Sequence, residues 1–253
     1  MIAPIARTHA DRRALAERIK QRVMTTRDDV LAIAIYGSAA RGDDGPHSDL
    51  EMMVVVDSDG EDFSYEWTAG PWKAEVNVRG HDVVLDESAE LDGDWAVTKG
   101  EYAFTLPLHD PHDLFPELRR HVFDHSPDDI DDCIREVIVG DAYELVGKWR
   151  NMRAARDYSF MPTCAMKLVQ YGAWVLGLAH RTLYSTSARM YHESLQLPDR
   201  PSGYDALCQC VMRGALHEPL VLMGLCEAFW NGLVRWAEAR DISLVTDPLG
   251  LNK

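Results

Sequence analysis

The sequence predicts an α+β protein in which residues 1–125 form a domain with a mixed β-sheet flanked by helices, and residues 126–253 form a bundle of helices. Three observations support this prediction. Short apolar or alternating segments typical of strands fall in the first half of the chain. From residue 126 onward, apolar residues recur at helical spacing with few strand signals. Between the halves, the segment HDPHDLFPEL carries two prolines and is predicted to be a loop.

The first domain begins with a predicted amphipathic helix, residues 8–23. Leu15, Ile19 and Val23 are spaced by four residues and therefore share one face of a helix. Thr8 precedes them and can cap the first turn with its hydroxyl group. We expect this helix to pack its apolar face on the sheet.

Four strands are predicted along the rest of this domain, at residues 30–35, 50–56, 73–79 and 103–108. The first is wholly apolar, as expected of a buried strand, and it ends at the small residues Gly37-Ser38, which indicate a tight turn. The third alternates polar Lys73, Glu75 and Asn77 with apolar residues. Because successive side chains of a strand point to opposite faces, one face of this strand is polar and could line a site.

The second domain begins with a clear helix start. Ser126 is an N-cap residue, Pro127 suits the first helical position, and Asp128 and Asp129 place negative charge in the first turn. Apolar residues then follow at helical spacing, among them Ile130, Ile134, Val137, Leu145, Trp149, Leu168, Trp174, Leu178, Leu222, Leu225, Phe229 and Trp236. The segment PDRPSG, residues 198–203, is predicted to be a loop between two of these helices.

The composition is acidic, with 41 Asp and Glu against 26 Lys and Arg and a formal net charge of −15. Such a charge repels nucleic-acid phosphates, so the chain is not expected to bind nucleic acid, whereas a cationic partner would be attracted. The first twenty residues turn charged too early for a signal peptide or a membrane span. We therefore expect a cytoplasmic protein without a membrane partner.

Cysteine and histidine give little sign of a metal site. The five cysteines are scattered and lack CxxC pairs, so even the close pair Cys208 and Cys210 is interpreted as core thiols. His109 and His112 flank Asp110 in a proline-containing segment without further ligands, and they are interpreted as surface histidines. Met52 and Met53 are most simply core residues.

Phosphate-binding and cation-binding residue types meet in the segment that follows the first strand. The Gly37-Ser38 turn lets backbone N–H groups and a hydroxyl approach a phosphate, and Arg41 offers a forked donor to the same anion. Asp49 and Glu51, two residues apart at the start of the second strand, project from one face roughly 6–7 Å apart. This arrangement suits shared divalent cations.

Glu75 adds a third carboxylate from the polar face of the strand at residues 73–79. Three acids at one place need cations or protons to neutralise them, and hard oxygen ligands favour Mg²⁺. Two Mg²⁺ ions about 3.5–4 Å apart can hold the attacking and leaving oxygens of an in-line phosphoryl displacement. The pattern therefore predicts two-metal nucleotidyl transfer, although isolated D-x-E triplets are common and could be a turn cap and a solvated strand residue.

The Gly-Ser turn, the D-x-E triplet and a third acid on a later strand resemble the polymerase-β-like nucleotidyltransferase superfamily. Within it, five segments in the same order resemble the kanamycin nucleotidyltransferases, which are aminoglycoside 4′-O-nucleotidyltransferases. These segments are AIYGSAARGDDGPHSDLEMM, FSYEWTAGPWKAEVN, YELVGKWRN, PSGYDALCQCVM and FWNGLVRW. The resemblance implies a Mg²⁺-dependent enzyme of antibiotic resistance that transfers AMP from ATP to the 4′-hydroxyl of an aminoglycoside and releases pyrophosphate.

The resemblance also implies roles for individual residues. Glu144 is the implied general base and, with Asp49 and Glu51, forms the catalytic set. The implied ligands of two Mg²⁺ ions are Asp49, Glu51 and Glu75. Nucleotide binding is implied for Gly37, Ser38, Arg41, Ser48 and Lys148, and acceptor binding for Lys73, Glu66, Glu75 and Glu144. The family implies a homodimer with its active sites at the subunit interface.

Other interpretations of the same residues stay open. Glu144 and Lys148 are four residues apart and could simply be an exposed helical ion pair. Trp67 and Trp72 could line a sugar or nucleotide pocket, or could pack in the core or against another subunit. The fold could act on a different acceptor, or could persist as a non-catalytic, antitoxin-like binding module.

Overall fold

The computed structural model describes residues 5–67 and 73–245. Its internal contacts divide the chain into two compact units, and each is described by itself below. The first unit comprises Met1–Glu90 and Thr98–His125, and the second comprises Leu91–Val97 and Ser126–Lys253. The short segment Leu91–Val97 thus packs with the second unit, although it lies within the range predicted for the first domain. Trp72 lies outside the described residues.

The first unit contains a mixed sheet, which confirms the predicted fold class. Within the described residues its strands are β1 (Val30–Tyr36), β2 (Leu50–Val56), β3 (Asp62–Trp67), β4 (Ala74–Gly80) and β5 (Leu106–His109). They are hydrogen-bonded in the order β3-β4-β2-β1-β5. The β2 and β4 strands are parallel, whereas the other neighbouring pairs are antiparallel.

Two strand predictions need correction. Residues 103–105 are not part of a strand, because Ala103 ends a short helix and β5 begins only at Leu106. The β3 strand was not predicted, since its segment DFSYEW mixes charged and aromatic residues and one of its faces is open to solvent. The predicted strands at residues 30–35, 50–56 and 73–79 are confirmed to within one residue.

The helices follow the chain in the order α1 (His9–Thr26), α2 (Gly37–Arg41), α3 (His81–Ala89), α4 (Trp95–Thr98), α5 (Gly100–Ala103), α6 (Leu114–Phe123), α7 (Pro127–Glu136), a π-helical turn (Val137–Ala142), α8 (Tyr143–Ala155), α9 (Met161–Ala179), α10 (Met190–Ser194), α11 (Tyr204–Met212) and α12 (Pro219–Glu238). The second unit is helical throughout its described part, as predicted. Residues 198–203 form the predicted loop, between α10 and α11.

The α1 helix begins as predicted, with a capping box in which Thr8 Oγ1 accepts from the Asp11 N–H and Asp11 Oδ2 accepts from the Thr8 N–H. Its Leu15 and Ala16 belong to the apolar core on one face of the sheet, together with side chains of β1, β2 and β4. Burying each large aliphatic side chain of this core contributes about 1.5–3 kcal/mol to folding. Because side chains alternate along a strand, the residues between these core positions project from the opposite face of the sheet.

The opposite face of the sheet is polar along β4, as its alternating sequence predicts. Arg79 donates to Glu87 of α3 at 2.8 Å, and Tyr102 of α5 also donates to that carboxylate. Asn77 is buried on the same face. This face carries the side chains of the candidate site.

The segment HDPHDLFPEL is only partly a loop, because α6 begins inside it at Leu114. Asp110 explains this start: its two carboxylate oxygens accept from the backbone N–H groups of Leu114 and Phe115, at 2.8 and 3.1 Å. These are two of the N–H groups that a helix leaves unsatisfied at its first turn. Asp110 is therefore a structural anchor for α6.

In the second unit, α7 begins with the predicted cap, since Ser126 Oγ accepts from the Asp129 N–H and Pro127 occupies the first turn. The α9 helix is apolar nearly all round and packs against α7, α8, α10, α11 and α12. A helix without a polar face belongs in the middle of a bundle. Four of the cysteines are buried and Cys210 is partly buried, all as free thiols. No helix in the described ranges is long and apolar enough to span a membrane.

Candidate active site

The turn from β1 into α2 leaves room for a neighbouring carboxylate. Gly37 has a φ of +67°, in the left-handed region that favours glycine. A Cβ atom placed on Gly37 would overlap the carboxylate of Glu51. The backbone conformation therefore favours glycine here, and any larger residue would have to displace the Glu51 carboxylate.

Three glutamates lie side by side across the sheet. In the parallel pairing of β2 with β4, Glu51 is opposite Glu75, and in the antiparallel pairing of β3 with β4, Glu66 is opposite Glu75. Tyr36 of β1 continues the row beyond Glu51. Directly opposed residues of neighbouring strands project from the same face of a sheet. The fold thus brings three predicted site residues together on one face, an arrangement that the sequence could not specify for Glu66 because β3 was not predicted.

The Glu51 carboxyl group has a strongly shifted pKa. Burial, followed by the negative charges of Asp49 and Glu75, raises its pKa to about 7. The positive charges of Lys73 and Arg41 act in the opposite direction and lower that pKa. Burial and like charges both disfavour the ionised form of Glu51, whereas a bound cation would favour it.

Asp49 precedes β2 and was predicted to lie on it. The strand begins one residue later, at Leu50. The Leu50 N–H donates to the carbonyl oxygen of Lys73, the residue before β4, at 3.1 Å. Hydrogen bonding to the β4 segment therefore begins directly after Asp49. Lys73 Nζ is 2.7 Å from Asp49 Oδ2. This contact raises the pKa of Lys73, mainly through the hydrogen bond to Asp49. The ammonium group of Lys73 therefore neutralises one acid of the predicted metal set.

Arg41 of α2 is the predicted phosphate ligand beside this acidic row. Its guanidinium group is 3.3 Å from Asp43 Oδ1. Its Nε atom is buried and has no hydrogen-bond partner within the described part of the chain. A buried donor without a partner is costly, and a phosphate oxygen would satisfy it. This observation fits the predicted role of Arg41 in nucleotide binding.

Ser48 was predicted to bind nucleotide, but its hydroxyl oxygen accepts from the Gly45 N–H at 3.0 Å. The hydroxyl thus closes the turn that leads into Asp49. The backbone carbonyl of Ser48 also accepts from Arg12, at 2.9 and 2.7 Å. A local structural role for Ser48 is therefore established in this structure, whereas contact with nucleotide stays a prediction.

Arg12 stabilises this loop through hydrogen bonds, a role that was not predicted from the sequence. Arg12 is 1% exposed, and its guanidinium group donates to the carbonyl oxygens of Arg7, Gly45, Pro46 and Ser48 and to Asp44 Oδ2. A signal did exist, because Arg12 is three residues before Leu15 and therefore falls on the apolar face of the predicted helix. A charged residue on a buried face indicates a specific polar partner.

Glu144 and Lys148 lie in the second unit, on α8. Lys148 Nζ is 2.8 Å from Glu144 Oε1, so the two residues share a helix face as predicted. Both side chains are largely exposed, and the hydrogen bond from Lys148 lowers the pKa of Glu144. Glu144 thus carries an ionised carboxylate, the form that can accept a proton. It is the second residue after the π-helical turn, and it lines an open groove of about 500 Å³ with Gly140, Tyr143, Gly147 and Arg150.

The donor set of Asp49, Glu51 and Glu75 has the chemistry that Mg²⁺ requires, namely hard carboxylate oxygens. Within residues 5–67 and 73–245, no group of three or more acidic, histidine or cysteine side chains is arranged as a ready metal cage. Lys73 stands next to Asp49 where a cation would otherwise neutralise it. The assignment of metal ligands therefore stays a prediction, supported by the kind of donors and by the raised pKa of Glu51.

Comparisons with known proteins agree with the family resemblance and with the fold. The family model described as KNTase C-terminal domain matches residues 112–243. Two curated relatives, each described as aminoglycoside nucleotidyltransferase (4′), come from Staphylococcus aureus and a Bacillus species. Each is 38% identical to this chain over 239 residues, which are 94% of this chain and 94% of the relative.

One solved structure adds a likeness in three dimensions. It is a nucleotidyltransferase-like protein from Exiguobacterium sibiricum 255-15, with a TM-score of 0.55 and 10% identity, over 91% of this chain and 76% of the other. At this identity the likeness supports the fold alone.

Proposed function

Because this chain belongs to the family of aminoglycoside nucleotidyltransferases (4′), we propose that it transfers AMP from ATP to the 4′-hydroxyl group of a kanamycin-type aminoglycoside and releases pyrophosphate. In a cell this reaction would confer resistance to the antibiotic. The observation that carries the proposal is the row of Glu51, Glu75 and Glu66 on one face of the sheet, next to the Gly37 turn.

The nucleotide is proposed to bind along the turn between β1 and α2. Gly37 keeps this surface free of a side chain, and Ser38 is the second residue of α2, the helical turn that also carries Arg41. Arg41 Nε is buried without a hydrogen-bond partner among the described residues, and this supports a contact with a phosphate oxygen. Lys148 is proposed as a second cationic contact to phosphate, and Ser48 as a residue that shapes the loop beneath it.

Asp49, Glu51 and Glu75 are proposed to hold two Mg²⁺ ions, which would neutralise charge on the phosphates and on the attacking and leaving oxygens. The carboxylate of Glu144 is proposed to take the proton of the acceptor hydroxyl as its oxygen attacks the α-phosphorus. The bond between the α-phosphorus and the bridging oxygen to the β-phosphate then breaks, and pyrophosphate leaves. The position of Glu144 in an open groove, beside Tyr143 and Gly147, supports this role.

The acidic balance of the chain suits a cationic acceptor. The net charge is −15, and Glu66 is exposed at the edge of the glutamate row. Aminoglycosides carry several ammonium groups, which such a surface would attract. We propose that Glu66 and Glu75 contact these groups, and that Lys73 shapes the same pocket through its ion pair with Asp49.

Two further properties are proposed with this function. The protein is proposed to be a homodimer with active sites at the subunit interface, as the family resemblance implies. It is also proposed to work in the cytoplasm, where ATP and Mg²⁺ are supplied. Light scattering coupled to size-exclusion chromatography measures the first property, and a single species of 28.5 kDa would contradict it.

Pyrophosphate release, measured with ATP, GTP, CTP and UTP over a panel of aminoglycosides, tests the proposed reaction. The expected result is release that requires both Mg²⁺ and an aminoglycoside bearing a free 4′-hydroxyl group, with a product heavier than the acceptor by the mass of AMP less one water. Release with 4′-deoxy acceptors would place the transfer on another hydroxyl. No release with any pair of substrates would favour a non-catalytic binding module.

A further inference from the structure

Asn77 lies immediately behind the glutamate row, and none of the roles proposed above uses it. It follows Glu75 by two residues on β4 and therefore projects from the same face. Its side chain is only 7% exposed. A buried amide group must find hydrogen-bond partners, so the identity of those partners shows what the residue does in the fold.

Both partners of the Asn77 amide nitrogen belong to the site. Asn77 Nδ2 donates to Glu75 Oε1 at 3.0 Å and to the hydroxyl oxygen of Tyr36 at 2.7 Å. Because a carboxylate only accepts, the nitrogen end of the amide must face Glu75. Tyr36 is 6% exposed, so its ring fixes the second hydrogen bond firmly. Asn77 is thus held by Tyr36 and holds one oxygen of Glu75.

Glu75 needs such a restraint, because Glu51 and Glu66 oppose it from the two neighbouring strands. Without a fixed donor, mutual repulsion would rotate the Glu75 carboxylate away from Glu51. The bond to Asn77 occupies one lone pair of Oε1 and leaves Oε2 and the remaining lone pair of Oε1 for a cation. Hydrogen bonds of this kind orient the carboxylate ligands of metal sites.

We propose that Asn77 is a positioning residue, which orients the Glu75 carboxylate toward Glu51 for divalent-cation binding, and that Tyr36 anchors Asn77 in turn. This inference rests on the proposed function, because it takes Glu75 to be a cation ligand. Asn77 itself touches neither cation nor nucleotide in this proposal.

Isothermal titration of Mg²⁺ into protein saturated with a nonhydrolysable ATP analogue measures the proposed effect without turnover. We expect Asn77→Leu to weaken Mg²⁺ binding about 10–100-fold, and the Mg²⁺ concentration for half-maximal activity to rise in parallel. Tyr36→Phe, which removes only the anchor, should cause a smaller loss. Ser64→Ala is the matched control, since Ser64 is opposite Asn77 on β3 but exposed, and it should bind Mg²⁺ like the wild type.

A double-mutant cycle with Glu75→Ala separates positioning from a general structural effect. If Asn77 acts through the Glu75 carboxylate, Asn77→Leu causes no further loss of Mg²⁺ affinity in the Glu75→Ala background. Additive losses, or wild-type Mg²⁺ affinity of the single Asn77→Leu variant, overturn the inference. Should Asn77→Leu not fold, Asn77→Ser decides in its place, because its shorter hydroxyl cannot reach Glu75 and Tyr36 together.

The cycle also distinguishes this inference from the proposed function. Weak Mg²⁺ binding by Glu75→Ala combined with normal binding by Asn77→Leu contradicts the positioning role alone. Normal Mg²⁺ binding and turnover by Glu75→Ala contradict the assignment of Glu75 as a ligand, and the inference about Asn77 then fails with it.

Discussion

Glu51 and Glu75 face each other across the parallel strands β2 and β4, and burial together with the charges of Asp49 and Glu75 raises the pKa of Glu51 to about 7. Two acids at opposed positions of a buried strand pair destabilise the fold that carries them. Retaining them is understandable if a bound cation offsets their repulsion. We therefore expect that removing one acid of this pair increases stability and decreases activity.

The variant Glu51→Gln should be more stable and less active than the wild type. At pH 8 without Mg²⁺, removing this charge should raise the free energy of unfolding by about 1–2 kcal/mol, after allowance for screening of a half-buried group. Turnover should fall at least about 100-fold. Mg²⁺ with nucleotide should raise the melting temperature of the wild type but scarcely that of the variant. Differential scanning fluorimetry with and without Mg²⁺ measures this, with the surface variant Glu17→Gln as control.

Gly37→Ala should disrupt the site in a way that backbone strain alone does not explain. Both Gly37 and Gly42 have positive φ, +67° and +76°, so alanine at either position costs about 1–2 kcal/mol of stability. Only at Gly37 would the new methyl group overlap the Glu51 carboxylate, because the space around Gly42 is open. Activity of Gly37→Ala should therefore fall at least about tenfold beyond that of Gly42→Ala. Equal activities of the two variants at matched folded fraction would contradict the overlap.

Glu144→Gln should lower turnover without affecting the fold. The pair with Lys148 is exposed, so its loss leaves stability nearly unchanged. A general base contributes typically about 10²–10⁴ in rate, and turnover should drop on that order while the affinity for ATP is retained. Steady-state kinetics with an unfolding curve for each variant provide the measurement. Wild-type turnover in Glu144→Gln would remove this residue from the mechanism.

Arg12→Met should destabilise the protein by about 3–5 kcal/mol, because Asp44 and several carbonyl oxygens would lose the buried guanidinium group that satisfies them. Urea denaturation measures the loss, and Arg18→Met, which removes an exposed arginine of the same helix, should change stability by less than about 0.5 kcal/mol. A similar effect of both substitutions would mean that the loop before Asp49 does not depend on Arg12.

Much of this fold follows from local sequence signals. The capping residues Thr8 and Ser126, the apolar run of β1 and the alternation of β4 depend on neighbours in sequence, and the structure confirms the elements that they predict. The β3 strand and the start of α6 depend on partners that are distant or unusual, namely pairing with β4 and the carboxylate of Asp110. Local sequence patterns do not predict such partners.

The candidate site shows the same division. The Gly-Ser turn and the D-x-E triplet are local, so the sequence indicates them directly. Glu66 lies opposite Glu75 only because of the register between β3 and β4. The hydrogen bond from Asn77 to Tyr36 joins residues that are 41 positions apart in the sequence. These relations become visible only once the sheet is assembled. Family membership confirmed the resemblance, whereas the roles of individual site residues stay predictions.

Glu227 should make the stability of the protein depend on pH in a defined direction. Arg150 donates to its two carboxylate oxygens at 3.0 and 3.1 Å, and the buried Trp149 donates its indole N–H at 2.9 Å. These bonds, chiefly that from Arg150, lower the pKa of Glu227 below its ordinary value of 4.5. A carboxyl group whose pKa is lower in the folded state stabilises the protein above its unfolded pKa, and this contribution is lost as the pH falls through the lowered value.

The matched pair Glu227→Gln and Glu227→Leu separates the charge from the hydrogen bond. Glutamine retains an acceptor for Trp149 but carries no charge. At pH 7 we expect the free energy of unfolding of Glu227→Gln to be about 1 kcal/mol lower than that of the wild type, a modest loss because Arg150 is exposed. This deficit should shrink as the pH is lowered below about 4.5, because the wild type then loses its charged contact. Leucine leaves the buried indole N–H unsatisfied, which adds a loss of about 1–3 kcal/mol that acid does not remove. Urea denaturation at pH 7, 5 and 4, followed by tryptophan fluorescence, measures both. A glutamine deficit that stays constant or grows on acidification would contradict the charged contact, since only the ionised carboxylate attracts Arg150.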